Sequence, residues 1–265
     1  MNSCDVSIIP SVASNSSAAI FHERGFIHST QLFSPSQTAC LVATANELVD
    51  VVESAGKWMK YFERAHDGRR LLNRVEYFFD FWPDLPTALE RSQLPSLLLA
   101  LFGGPYHLFK EKLNVKLAGA GGYAPHQDGP AWTMLKRESI TVMIAVDDAD
   151  EHNGALQVDA NFSCGRNFLA HRQGQLLDQD SIAWATIPLR AGDVIAFSSF
   201  LPHRSFGNGS SRSRRAYFIT YNAAADGNCR DAYFDFKRRA FPPEIERLGA
   251  EDIGQWRTRL SRDLL

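Results

Sequence analysis

Positive charge is not in excess in this chain: 28 Lys and Arg stand against 30 Asp and Glu, a formal charge of −2. Counterion release, which drives non-specific nucleic-acid binding, therefore has little to act on. Long apolar runs are missing too. The longest, at 97–102 and 140–146, fall far short of the ~18 residues a membrane span needs. Residues 1–17 carry no Lys or Arg, so the charged start of a secretory signal is absent. Cys4, Cys40, Cys164 and Cys229 form no C-x-x-C pair, which argues against a structural zinc site or a disulfide framework and suits a reducing compartment. The expectation is a cytoplasmic protein with no nucleic-acid or membrane partner, its oligomeric state open.

What is present is ordinary globular composition, with 45% hydrophobic and 22% charged residues and no internal repeat. Residues 1–265 read as a single domain with a loose, Ser-rich leader over 1–17. Ser34-Pro35-Ser36 offers an N-cap with proline in the first turn, and Leu41, Ala45, Leu48, Val51 and Val52 recur at helical spacing, predicting a helix over 34–54. A second helix is predicted over 86–102, closed by Gly103-Gly104. After Pro105 the texture turns to short β-like runs, predicted near 113–117, 140–146, 155–158, 194–198 and 216–222, and from Arg230 it turns helical again. The order helices, strands, helices predicts a mainly β fold with flanking helices, a sandwich or barrel whose core spans about 105–225.

The segment Gly121-Gly122-Tyr123-Ala124-Pro125-His126-Gln127-Asp128-Gly129-Pro130 carries the most chemistry. His126 and Asp128 are two apart and, in an extended chain, project from one side. His203 follows a predicted strand that could return to the same mouth. Two imidazoles and one carboxylate form the facial triad of non-haem Fe(II) oxygenases, with three positions left for a co-substrate and dioxygen. An H-x-D spacing alone is weak, since a surface histidine bonded to a nearby aspartate looks the same. His22, His28, His66, His107, His152 and His171 lie in polar or unpatterned surroundings and are expected to be exposed. Arg212-Ser213-Arg214-Arg215 heads an apolar alternation, and an arginine pointing into a sandwich needs an anion that matches its fork, such as a dicarboxylate.

Read together, Phe109-Lys110-Glu111-Lys112-Leu113-Asn114, His126-Gln127-Asp128, Ile140-Thr141-Val142-Met143, Asn153-Gly154-Ala155-Leu156, Gly192-Asp193-Val194, Pro202-His203 and Arg214-Arg215-Ala216 strongly resemble the phytanoyl-CoA dioxygenase family. The resemblance runs from about 25 to 233. It implies a double-stranded β-helix (jelly-roll, cupin-like) core and an Fe(II)-dependent dioxygenase that uses 2-oxoglutarate and O2. It maps the metal ligands onto His126, Asp128 and His203, and the 2-oxoglutarate arginine onto Arg214, with Arg215 the competing choice. Similarity to the ectoine hydroxylases of the family adds Asn114 and Ser205 as co-substrate contacts. A carboxylate at 128, where family halogenases have a small residue, implies hydroxylation or desaturation. Where many members have a Pro-Gly-Ser-His turn, this chain has Gln157-Val158-Asp159-Ala160-Asn161-Phe162-Ser163.

The substrate is less determined. A likeness to bacterial members that hydroxylate 2-aminoethylphosphonate is visible around 110–112, in H-Q-D-x-P-A and in the 233–246 tail. Lys112 and Lys116 share the polar face of Asn114 on an alternating strand. A lysine there would need an anion, so the expectation is a small anionic or zwitterionic substrate, such as an aminophosphonate, with Tyr123 and Trp132 shaping the mouth. Competing readings are an oxygenase acting on a larger natural product, a hydrolase using the same ligands for zinc, and a non-catalytic jelly-roll binding or sensor protein.

Overall fold

The structure, a computed structural model, describes residues 8–9, 15–30, 32–65, 67–163 and 167–247. Its strands, in chain order, are β1 (Ile8–Ile9), β2 (Phe26–Ser29), β3 (Met59–Arg64), β4 (Arg70–Glu76), β5 (Tyr106–Lys116), β6 (Tyr123–His126), β7 (Ser139–Ala145), β8 (Leu156–Asp159), β9 (His171–Arg172), β10 (Gln175–Leu176), β11 (Trp184–Ile187), β12 (Val194–Ser198), β13 (His203–Ser205) and β14 (Arg214–Ala223). The helices are α1 (Asn15–Arg24), α2 (Pro35–Asp50), α3 (Asp84–Glu90), α4 (Leu94–Phe102) and α5 (Arg230–Ala240).

An eight-stranded sheet runs in the order β1-β2-β12-β7-β14-β5-β4-β3, and a four-stranded sheet in the order β11-β8-β13-β6. Period-two alternation gives the large sheet two different faces. One presents Leu113, Val115, Val142, Ile144, Val194, Ala196, Tyr217 and Ile219 to the helices, where they meet Leu41, Ala45, Leu48, Leu85, Leu89, Leu97 and Leu101. The other presents Met143, Ala145, Ile195, Phe197, Ala216 and Phe218 to Leu156, Val158 and Ile187 of the small sheet. This sheet-on-sheet core is the double-stranded β-helix. Among the described residues no helix is long and apolar enough to cross a membrane.

Local sequence explains the helices. Ser34 and Gln37 close a capping box at the head of α2, Gln37 Oε1 accepting from Ser34 N at 2.8 Å and Ser34 Oγ accepting from Gln37 N at 3.3 Å. The helix predicted over 86–102 is two, α3 and α4, because Pro95 has no N–H to continue the ladder and is tolerated only in the first turn of a new helix. No side chain caps α4. It is held by burying Leu94, Leu97, Leu98 and Leu101, each worth ~1.5–3 kcal/mol, and it ends on Gly103 in the left-handed conformation.

Two further parts of the fold differ from the sequence expectation. Within the leader, Asn15 already starts α1 and Ile8–Ile9 pair with β2, the other residues of 1–14 lying outside the described residues. Strands β3 and β4 precede Pro105 and extend the large sheet beyond β5. Their charged residues, Lys60, Glu63, Arg70, Arg74 and Glu76, interrupt the apolar alternation by which strands are found in sequence. Finally, the β5–β14 ladder carries a bulge at Phe109, since Thr220 pairs with Lys110 and Tyr221 with Leu108. Such an extra residue re-aims the side chains beside it.

Candidate active site

His126 ends β6 and His203 begins β13, and the antiparallel register places them directly opposite each other. Their ring centroids are 4.1 Å apart. Asp128 follows two residues after His126, and one ligand atom from each of the three lies within 4.8 Å of the others. His126 Nδ1 is bonded to the Ala124 carbonyl at 2.7 Å, and His203 Nδ1 to the Leu201 carbonyl at 3.0 Å. A carbonyl can only accept, so each Nδ1 carries the proton and each Nε2 keeps its lone pair for the centre. Thr141 Oγ1 donates to Asp128 Oδ2 at 3.2 Å and is itself 3.0 Å from Thr220 Oγ1.

The electrostatics match a metal-binding cluster. Burial, and then the neighbouring His203, push His126 down to about 3; burial also lowers His203. Burial opposes ionisation of Asp128, yet His203 and Lys110 prevail and hold it near 2. Two neutral imidazoles and a carboxylate are the protonation states in which these groups coordinate.

A cavity of about 740 Å³ opens on the cluster, lined by His126, Asp128, Lys110, Lys112, Tyr123 and Trp132 among others. On the inner face of β5, Lys110 and Lys112 precede Asn114 and Lys116. Neither Lys110 nor Lys112 has a hydrogen-bond or ion-pair partner among the described residues. Lys110 lies 4.1 Å over the Trp132 ring and Lys112 5.0 Å from that of Phe218. Burial lowers both ammonium groups, Lys110 further because Lys112 stands beside it. Lys116 is different. It does not line the cavity and instead donates to Ser205 Oγ at 2.8 Å.

Arg214 and Arg215 leave β14 on opposite faces. Arg215 pairs with Asp147 through Nε and Nη2, at 2.8 and 2.7 Å, beneath α2. Arg214 is buried in the sandwich across the ladder from Lys116, donates to the Gly154 carbonyl, and leaves its Nε without a partner. The sequence-derived residues thus fall into three neighbouring groups: the cluster of three ligands, the cavity wall with Lys112, Tyr123 and Trp132, and the interior group of Arg214, Asn114, Ser205 and Lys116.

Several cavity residues were not expected from the sequence. Glu76 on β4 is buried between Arg74, at 2.5 Å, and Lys237 on α5. Both cations line the cavity with Tyr61 and Tyr233. The available signal was a lysine on an otherwise aromatic helix stripe, Tyr233-Phe234-Lys237. His171, expected to be exposed, lines the cavity from the β9–β10 hairpin, and His28 is buried against Asp193 at 3.4 Å. His66 lies outside the described residues.

Gln127 points away from the cluster and holds this hairpin's approach. Its Nε2 donates to the carbonyls of Asn167, at 3.1 Å, and Phe200, and its Oε1 accepts from Leu169 N at 2.7 Å. Gln127→Ala is expected to cost about 1–3 kcal/mol and to speed protease cleavage within 167–177. Wild-type cleavage there would show that other contacts secure the hairpin.

The chain matches the phytanoyl-CoA dioxygenase family over residues 21–216. It is 38% identical over 234 residues to the 2-aminoethylphosphonate dioxygenase of the uncultured bacterium HF130_AEPn_1, covering 87% of this chain and 89% of that protein. It is 34% identical over 236 residues to the methylphosphonate hydroxylase of Gimesia maris, covering 88% and 89%. Among solved structures, EctD from S. alaskensis with 2-oxoglutarate and 5-hydroxyectoine shares the fold, with a TM-score of 0.66 and 18% identity over 84% of this chain and 81% of that one.

Proposed function

The chain belongs to the phytanoyl-CoA dioxygenase family and is an Fe(II)- and 2-oxoglutarate-dependent dioxygenase, and from that premise we propose that it oxidises a C–H bond of a small organophosphonate. The observation that carries the substrate class is the pair of Lys110, buried, and Lys112, half-buried: two lysines with no hydrogen bond or ion pair to a carboxylate among the described residues, on a cavity wall beside His126 and Asp128. A phosphonate brings up to two negative charges and three acceptor oxygens, which is what such a pair lacks. The two phosphonate-acting relatives agree with it. The setting is the cytoplasm, and the partner is a small molecule rather than nucleic acid or membrane.

His126, Asp128 and His203 would hold Fe(II), and their protonation states and converging donor atoms fit it. Iron bound there supplies the dioxygen chemistry that couples decarboxylation of 2-oxoglutarate to C–H oxidation, with succinate and CO2 as co-products. The remaining work is done by the chain. The Ala124 and Leu201 carbonyls fix both imidazoles by Nδ1, and Thr141 fixes the carboxylate by Oδ2. Lys110 and Lys112 orient the phosphonate so that the adjacent carbon faces the metal, while Trp132 and Tyr233 keep water from that end of the cavity.

The unpartnered Nε of buried Arg214 fits the far carboxylate of 2-oxoglutarate, with Asn114 and Ser205 nearby. Arg214→Met is expected to weaken 2-oxoglutarate binding by about 1.5–3 kcal/mol, while Arg215→Ala, which frees Asp147 and Asn46 on the helix side of the sheet, leaves it unchanged. The reverse pattern would move the role one residue along the strand.

Succinate release tests the substrate class. With Fe(II), 2-oxoglutarate and O2, 2-aminoethylphosphonate or methylphosphonate should stimulate it, and the carboxylate and sulfonate analogues β-alanine and taurine should not. Failure of every organophosphonate in a broad panel would overturn the proposal.

A further inference from the structure

The polar face of β5 continues past the cavity to Lys116, where the surroundings change. Lys116 is 3% exposed, and its Nζ donates to Ser205 Oγ and to the Phe206 carbonyl on β13 and the loop after it. Directly across the β5–β14 ladder stands Arg214, 2% exposed. Two cations are therefore buried side by side. Neither makes an ion pair with a carboxylate among the described residues. Their bonds go to neutral oxygens: Ser205 Oγ and the carbonyls of Gly154 and Phe206.

The chain makes room for this arrangement. Gly154 has φ +79°, and a Cβ there would come within 2.9 Å of Lys116 Nζ and 2.5 Å of the Phe206 carbonyl oxygen. Any larger residue would push the lysine from its place. The other charged or titratable groups around Lys116 are few. Tyr123 on β6 offers its ring face at 5.5 Å, and Glu63 on β3 acts on the ammonium without pairing with it.

We propose that Lys116 and Arg214 jointly bind the far carboxylate of 2-oxoglutarate, with Ser205 between them, so that Lys116 serves the co-substrate and not the substrate. The inference rests on the placement of 2-oxoglutarate at Arg214. It adds a proton to the binding step. Burial and the adjacent Arg214 push Lys116 down to about 7, whereas a carboxylate between the two cations raises it again. Lys116 then takes up a proton as 2-oxoglutarate binds at pH 8. By linkage, affinity is level below pH 7 and falls as pH rises above it.

Anaerobic calorimetry of 2-oxoglutarate binding to the Fe(II)-loaded enzyme, repeated in buffers of different ionisation enthalpy, reads both quantities. The wild type should take up most of one proton at pH 8. Lys116→Met should bind 2-oxoglutarate roughly ten- to a hundredfold more weakly and without that uptake. Lys116→Gln keeps a donor for Ser205 and guards against a folding defect. If either variant, with a wild-type unfolding temperature, keeps wild-type affinity, the proposal is overturned. Arg214→Met separates the two levels: weakened binding there with none at Lys116 defeats only this inference, and no effect at either residue defeats the placement of the co-substrate.

Discussion

His203→Ala is expected to remove iron binding and turnover together. His203 is 5% exposed and stands across the ladder from His126, its ring 4.9 Å from Phe197. On the proposed ligand set its Nε2 would be one of three donors, and a weakly paired His126 and Asp128, 3.9 Å apart, are all that remain without it. Two ligands from one short segment would hold an ion weakly against water and buffer; the third, from the opposite strand, would complete the three-donor set. Iron should fall from one per chain to near none. The weak visible charge-transfer band that forms when Fe(II) and 2-oxoglutarate are added anaerobically should vanish, and activity should drop to that of the metal-free protein. A variant that keeps both the band and full iron stoichiometry would refute the ligand set.

The second large effect is expected at Lys112. Lys112→Met preserves the length of the stem and removes the charge. If a phosphonate is held between Lys110 and Lys112, kcat/KM for it should fall by about 100-fold, mostly through KM, because a dry charge-assisted pair is worth ~1.5–3 kcal/mol and the remaining lysine is left to face the anion alone. Affinity for 2-oxoglutarate should not change. The same substitution should leave the unfolding temperature at or above that of the wild type, since the half-buried ammonium is desolvated and makes no direct ion pair in the folded enzyme. An unchanged KM for the phosphonate would sink the substrate assignment, whatever happens to stability.

Much of this is legible in the sequence. The strand over 194–198 and the capped helix beginning at Ser34 follow from local chemistry that tertiary packing only reinforces. The cluster of His126, Asp128 and His203 was legible because its spacing, glycines and order form a pattern. The wall opposite was not. Arg74 and Glu76 lie on a strand hidden by its own charges, and Lys237 comes from a helix far along the chain; the three meet only because β4 pairs with β5 and α5 packs over them. That Lys116 stands off the cavity is hidden in the sequence for a related reason. Alternation puts it on the inner face, but its ammonium is taken up by Ser205 of the other sheet and Phe206 of the loop that follows, which are about 90 residues away in the chain.

The strand β5 also constrains how such an enzyme can diverge. On the proposed assignment its inner residues serve two anions, while of the residues between them Leu113 and Val115 are packed against the helices. Losing or gaining a single residue after the Phe109 bulge would turn the lysines into the helix layer and the leucine and valine into the cavity, disabling substrate and co-substrate sites in one event. Point changes at 110 and 112 carry no such penalty. Selectivity can therefore drift by substitution along a strand of fixed length, while changes of length are better accommodated in connections such as 161–163, beyond the β8–β11 ladder.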